Sequence, residues 1–288
     1  MPSHFKNWRG GFVVIVAGYA DMIIGIVSTR NATDILEQTL TWHLNHGVDQ
    51  LGIVIHLPTE EVVQIVDKFQ DVLAARLVVT RPKFVQDQLL DRLRQRIAAT
   101  RKLQAKDWFV HFDDDERWTG LDCLRDMPAI ALAARTTVST NYAPHSPLEH
   151  NFAKITHREV RQTLPKLALR ANYPLTTDQG NHTGYWRNGT KLGPRRVCES
   201  TIGIDHFPVR TLSQFQRKVI GWEEVLHFRN GPNDPRSTHW VEWLDWHKQD
   251  PVNGLAKKFQ QFMTNAQPIT AAERLRLDGY AVTPSITK

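Results

Sequence analysis

A chain of 288 residues with 41% hydrophobic and 23% charged residues has the composition of a globular protein whose core needs no staples. Its 2 cysteines, Cys123 and Cys198, lie far apart and match no metal spacing, which excludes a disulfide scaffold and points to a reducing compartment, the cytoplasm. A formal charge of +6, spread along the chain, favours a phosphate-bearing partner, a polyanion or peripheral contact with an anionic membrane, without singling out nucleic acid.

Two apolar runs open the chain, Phe12 to Ala20 and Met22 to Val27, split by Asp21. Neither reaches the ~20 apolar residues of a membrane span. The basic flank of Lys6 and Arg9 leads to no clear small-residue cleavage site. Residues 1–21 are therefore read as an N-terminal appendage, and a chain starting at Met22 is expected to fold. Met22 begins a strand, Met-Ile-Ile-Gly-Ile-Val. After the polar Ser28-Thr-Arg30-Asn31, Asp34 is placed to cap a helix running to about His46, with Ile35, Leu36, Leu40 and Leu44 on one face and Gly47 as its stop. Leu51 to Leu57 is a second strand, Thr59-Glu60-Glu61 opens a second helix, and Arg76 to Thr80 is a third strand. Lys83 to about Ala105 reads as a long amphipathic helix. The apolar, β-branched run Trp108 to Phe112 has the pattern of a buried strand. This β-α-β-α-β-α-β order over residues 22–112 predicts an α/β fold with a doubly wound, mostly parallel sheet.

Past Trp118 the pattern predicts a short helix at Leu121 to Met127 and strands at Ala129 to Val138, Lys166 to Arg170 and Thr201 to Phe207. Residues 141–164 read as loop with some helix, and Thr176 to Gly193, rich in Gly, Asn and Thr, as turns. A helix starts at Thr211 and runs towards His227. Residues 229–237 read as a linker, and helices at about 238–248 and 254–265 form a helical C-terminal extension over 229–288. Trp240, Trp243 and Trp246 recur every third residue, a stripe that anchors a terminal helix onto the core more readily than it stacks on sugars.

Four acids, Asp113, Asp114, Asp115 and Glu116, follow the fourth strand without a break. In open α/β sheets ligands gather at the carboxyl ends of the strands. Adjacent carboxylates raise one another's pKa unless a cation or donors neutralise them. Extended alternation puts Asp113 and Asp115 on one face and Asp114 on the other, and two carboxylates on one face suit Mg²⁺ or Mn²⁺. The plain alternative is a solvated acidic turn. An empty site of mutually repelling acids predicts that Asp113→Ala leaves thermal stability near wild type.

These residues, with others in order along the chain, resemble a known family. Arg30-Asn31 after the first strand and His43-Leu-Asn-His-Gly47-Val-Asp49 at the end of the first helix resemble the "RNE … HxxxGVD" opening of the GT-A fold glycosyltransferases, in the glycosyltransferase family 2-like group. Asp107-Trp108 through Glu116 is similar to that group's "dWvihlDaDEfw", whose first and last Asp of the acidic run form its DxD motif. Gly180-Asn-His182 resembles its "GNH", and His206-Phe-Pro-Val-Arg210 with Gln214-Phe215 and Lys218 its "HyplRsxeqfxxK". The likeness covers about residues 22–228, which it implies are a GT-A domain. Two departures, Ala32 in place of Glu and His56-Leu-Pro-Thr-Glu60 in place of an acid or Asn followed by Ser-x-Asp, fall in the base-binding half and leave the nucleotide open.

The resemblance implies metal-dependent transfer of a sugar from a nucleotide-sugar donor to the hydroxyl of a glycan, lipid or other acceptor. It implies Asp115 as a direct ligand of the divalent metal and Asp113 near the ribose or the metal, with a third ligand from the distal half. His182 and His206 are the candidates, since imidazole suits Mn²⁺ better than Mg²⁺. A cation bridging two phosphates stabilises the charge of the departing diphosphate. Thr29, Arg30, Asn31, His56, Asp113 and Asp114 line the expected donor edge, and Arg210 and Lys218 are placed to hold phosphate oxygens. Inverting transfer needs a carboxylate base for the acceptor hydroxyl, for which Glu149, Glu199 and Asp205 are candidates; retaining transfer needs none. Two other classes compete. One is a Mg²⁺-dependent nucleic-acid-binding or phosphoryl-transfer protein, disfavoured by the lack of a concentrated basic patch. The other is a non-catalytic GT-A domain.

Overall fold

The first strand, β1 (Ile23–Thr29), is buried along its whole length and organises the sheet. Its alternate residues face two layers, as a pleated strand requires. The chain continues through α1 (Leu36–Asn45), β2 (Gln50–His56), α2 (Glu60–Asp67), β3 (Leu73–Val79), α3 (Gln86–Thr100) and β4 (Trp108–Asp113). Ile23 and Val27 bury against Leu36, Leu40, Val62 and Val66 of α1 and α2. Ile24 and Ile26 bury against Leu89, Leu90, Leu93 and Ile97 of α3. Each such side chain contributes roughly 1.5–3 kcal/mol. The computed structural model describes residues 21–81, 85–137, 139–143, 155–159, 164–226 and 238–281. Residues 1–20, the predicted linker 229–237 and Glu149 lie outside them.

After β4 come β5 (Glu116–Thr119), β6 (Ala133–Arg135), β7 (Ser139–Ala143), β8 (His157–Arg158), β9 (Leu167–Arg170), β10 (Leu175–Thr177), β11 (Gly184–Trp186), β12 (Val197–Glu199) and β13 (Gly203–His206). The chain ends in α4 (Leu212–Leu226), α5 (Thr238–Gln249), α6 (Gly254–Thr264), β14 (Gln267–Pro268) and α7 (Ala271–Ala281). The main sheet has 7 strands in the order β12-β6-β9-β4-β1-β2-β3. Only β9 runs against its neighbours. A second sheet, β14-β8-β7-β13-β5, stands beside it. This is the α/β class expected from the sequence: a doubly wound, mostly parallel sheet flanked by helices, with helices at the C-terminal end. No helix among the described residues is long and apolar enough to cross a membrane.

Several expectations need correction. Helix α1 starts at Leu36 with no side-chain cap; Asp34 is instead bonded to Arg210 at 2.7 and 3.0 Å. The strand expected over 129–138 shrinks to Ala133–Arg135, because β6 pairs only with the short β9 and β12. The stretch read as turns holds a hairpin, β10 with β11. Trp240 and Trp243 pack with Phe215, Leu244 and Phe259 in the α4–α6 layer, as the stripe suggested.

Helix α7 had no sequence forecast, yet it is tied down. Leu277 is fully buried with Ile35, Trp42, Tyr142 and Phe207, and Arg276 meets Asp205 at 3.3 Å. Leu277→Ala should therefore cost about 2–4 kcal/mol. Urea unfolding checks this, and a cost under about 0.5 kcal/mol would show that α7 is not part of the cooperative unit.

Candidate active site at the carboxyl edge of the sheet

Parallel register sets the site. Ser28 pairs with Asp113 and Thr29 with Ile55, so the ends of β1, β2 and β4 lie on one edge. Just beyond that edge, Asn31 and Leu57 hold left-handed backbones, with φ of 57° and 50°. For leucine that conformation is costly, and such strain collects where binding loops are held.

The extended alternation expected for the acids stops at Asp113. Asp114 and Asp115 form the turn that carries the chain from β4 in the main sheet to β5 in the second. Strand β5 pairs with β13, which sets His206 opposite Glu116, and the amide of Phe207 donates to the Asp115 carbonyl at 2.9 Å. The acids thus sit where two sheets meet, with α4 starting just beyond β13.

Each acid there has its own donors. Asp113 accepts from Gln86 Nε2 at 2.9 Å and from Lys166 Nζ at 2.7 Å. Lys166 also reaches Glu116 Oε1 at 2.6 Å. The other Glu116 oxygen accepts from the Asp113 amide at 3.1 Å and the Trp118 indole at 3.2 Å. Asp115, only 2% exposed, lies 2.5 Å from Lys218 Nζ, 3.3 Å from His206 Nε2 and 3.7 Å from Arg210 Nη1.

The protonation states follow from burial set against these charges. Burial pushes the Asp113 carboxyl up, but the Lys166 ammonium more than offsets it and holds the group below the ordinary carboxylate range. Burial likewise opposes the charge of Asp115, yet Lys218, His206 and Arg210 hold it well below that range. His206 moves up: burial disfavours its cation, and the Asp115 carboxylate outweighs that. Its Nδ1–H donates to Asn141 Oδ1 at 2.8 Å, whose amide donates to Glu159 at 2.8 Å. Asp114 differs. Burial and the neighbouring Asp115 charge push it up to about 7, against the opposing pull of Lys218, the Thr29 hydroxyl and Arg210.

Asp113, Asp114, Asp115, Arg210, Lys218, His206 and Thr29 therefore come together. The remaining candidates are bonded elsewhere. His56 Nε2 faces the Arg81 carbonyl at 3.0 Å, and His182 Nδ1 that of Pro165 at 2.9 Å. Asp205 accepts from the Tyr142 hydroxyl at 3.0 Å and from Arg276. Glu199 pairs with Arg135 at 2.8 Å. Arg30 lies next to Thr29 at the same edge. The His43 and Asp49 of the first helix motif serve structure. His43 accepts the Trp118 amide at 3.2 Å, and Asp49 accepts that of Ile23 at 2.7 Å.

Sequence reasoning missed Lys166, Gln86 and Asn141. For Lys166 there was a signal, a lysine opening a predicted buried strand, since lysine is almost never buried unless paired. The Gly180-Asn-His182 segment fixes it from behind. Asn181, left-handed at φ 62°, accepts the Leu167 amide at 2.9 Å.

Among the described residues no three Asp, Glu, His or Cys side chains converge in a way that suits a metal ion. His206 donates through Nδ1 and faces the Asp115 carboxylate with Nε2, an arrangement that favours its protonated form. As arranged, the donor set does not fit the divalent ion expected from the sequence.

No family model matches the chain, and no curated protein matches it. Among solved structures, it is similar to a 4-diphosphocytidyl-2C-methyl-D-erythritol synthase at 13% identity and TM-score 0.31, covering 53% of this chain and 76% of that one. It is also similar to a mannosyltransferase from Pyrobaculum calidifontis in complex with GDP-Man and Mn²⁺, at 10% identity and TM-score 0.38, covering 92% of this chain and 88% of that one. Likenesses at these scores carry no argument about activity.

Proposed function

We propose that this chain is a glycosyltransferase that moves a sugar from a nucleotide-sugar donor to an acceptor hydroxyl. One observation carries the reading. The turn at Asp114–Asp115, at the carboxyl end of β4, meets Arg210 and Lys218 from the distal half. That edge is where doubly wound sheets receive ligands, and fixed cations there match a diphosphate. In this reading the nucleoside lies along Thr29, Arg30 and Asn31, with the diphosphate towards Arg210 and Lys218. The sequence motifs of residues 22–228 support the same class.

Transfer breaks the bond between sugar C1 and the β-phosphate oxygen, leaving its electron pair on the diphosphate. The acceptor oxygen forms the new bond to C1 and gives up its proton. Asp114, poised near neutrality, is the carboxylate matched to take it, because a general base works best with a pKa near the working pH. A glycan is the default acceptor, with a phosphorylated lipid as the other choice that the net positive charge favours.

The test is a mass-spectrometric screen of uridine, guanosine and thymidine diphosphate sugars, with Mn²⁺ and with chelator, scoring free nucleoside diphosphate. The expected result is release from one donor family. No release from any donor would favour a non-catalytic domain.

A further inference from the structure

Three acids of this site, Asp113, Asp115 and Glu116, have a donor or cation against each carboxylate oxygen. Both oxygens of Asp113 accept from Gln86 and Lys166. Both oxygens of Glu116 accept from Lys166, from the Asp113 amide and from the Trp118 indole. Both oxygens of Asp115 face His206, Lys218 and Arg210. A divalent ion would compete with these ammonium, imidazolium and guanidinium groups for the same oxygens, because like charges repel at such distances. Displacing Lys166 would leave an ammonium buried and unpaired, since its side chain is 8% exposed. Lys218 is different: its side chain is 28% exposed and lies 5.8 Å from the Trp240 ring.

We propose that the acid cluster is a frame that holds ammonium and guanidinium groups in place of a metal, and that Lys218, with Arg210 behind it, supplies the positive charge met by the diphosphate without a divalent ion. The inference rests on the glycosyl-transfer reading and deepens it. As the C1–O bond breaks and its electron pair passes to the β-phosphate, the departing group gains negative charge. Lys218 then exchanges part of its contact with Asp115 for that charge, while Lys166, Arg210 and His206 keep the carboxylates compensated. The acceptor proton passes to Asp114 as above. Fixed protein cations can stabilise a departing phosphate in this way.

Binding of UDP and of GDP, measured by calorimetry on the whole chain, tests the inference. The arms are chelator, added Mn²⁺, and Mn²⁺ alone without nucleotide. The expected result is an affinity for one nucleotide that changes by less than about twofold between chelator and Mn²⁺, with no heat from the metal alone. Lys218→Met should weaken that affinity by about tenfold or more, and Lys218→Arg should stay within about threefold of wild type, because the guanidinium keeps the charge. Far-ultraviolet circular dichroism confirms that both variants are folded. Affinity that appears only with Mn²⁺, or Lys218→Met binding as wild type does, overturns this inference and leaves glycosyl transfer standing. No binding of either nucleotide in any arm overturns the donor-site reading itself, and this inference with it.

Discussion

Lys166→Met should lower folding stability by about 3–5 kcal/mol, the usual cost of removing one partner from a buried ion pair. Lys166 is 6% exposed and bridges Asp113 and Glu116 at 2.7 and 2.6 Å. Methionine fills similar space, so the loss isolates charge from packing. The pH dependence gives the sharper check. In the wild type, Asp113 sits below its unfolded value of 3.8 because of Lys166. A depressed carboxyl contributes stability that is present above the unfolded pKa and fades as pH falls through the folded one. Without Lys166, burial and the Asp115 charge raise that carboxyl against only the charge of His206, so the deficit of the variant should be largest near neutrality and shrink below about pH 4. Urea unfolding at pH 7 and pH 4 measures it. A deficit of equal size at both would mean that the loss is one of packing. The same geometry revises the expectation for Asp113→Ala. Asp113 is no repelled acid in an empty site but the partner of a buried lysine, so its removal should destabilise the protein.

Asp114→Asn is expected to have the largest effect on turnover, a loss of about 10²–10⁴-fold, the usual worth of a positioned base. In the wild type the rate should rise with pH through about 7 as Asp114 loses its proton, and the variant should lose that limb. Stability moves the other way. A carboxyl raised from 3.8 to about 7 keeps a proton in the folded state that the unfolded chain has released. Its contribution is therefore full below pH 3.8 and falls as pH rises to about 7. At pH 8 the asparagine variant should be more stable than wild type by on the order of 1–2 kcal/mol, discounted because Asp114 is only half-buried. Thermal melts at pH 5 and pH 8 check the sign. A pH–rate profile unchanged in the variant would remove Asp114 from the mechanism.

How much of this was legible can be argued from particular residues. The apolar runs of β1, β2 and β4 marked three strands of the main sheet, because a strand buried on both faces reads as a near-continuous apolar run. The acids were placed at the carboxyl edge for the same reason, since Asp113 ends such a run. Their pairing was not legible. The Asp113 partner Lys166 lies 53 residues away, and the Asp115 partner Lys218 lies 103 away. Nothing in either local pattern announces the other. Strand β5 was missed because four residues directly after an acidic turn look like a loop until β13 supplies their ladder.

By itself, then, the chain determined what period and propensity control: the order of strands and helices, the buried face of each, and the edge at which polar residues gather. Tertiary structure decided which charges meet. Asp34 shows the difference. Its type and position suit a helix cap, yet a buried guanidinium has a greater need of a partner than a helix end that water can reach, and Arg210 takes it. The acid cluster follows the same rule. Four carboxylates in a row demand positive charge, and only the meeting of β4, β9, β13 and α4 settles that Lys166, His206, Arg210 and Lys218 provide it.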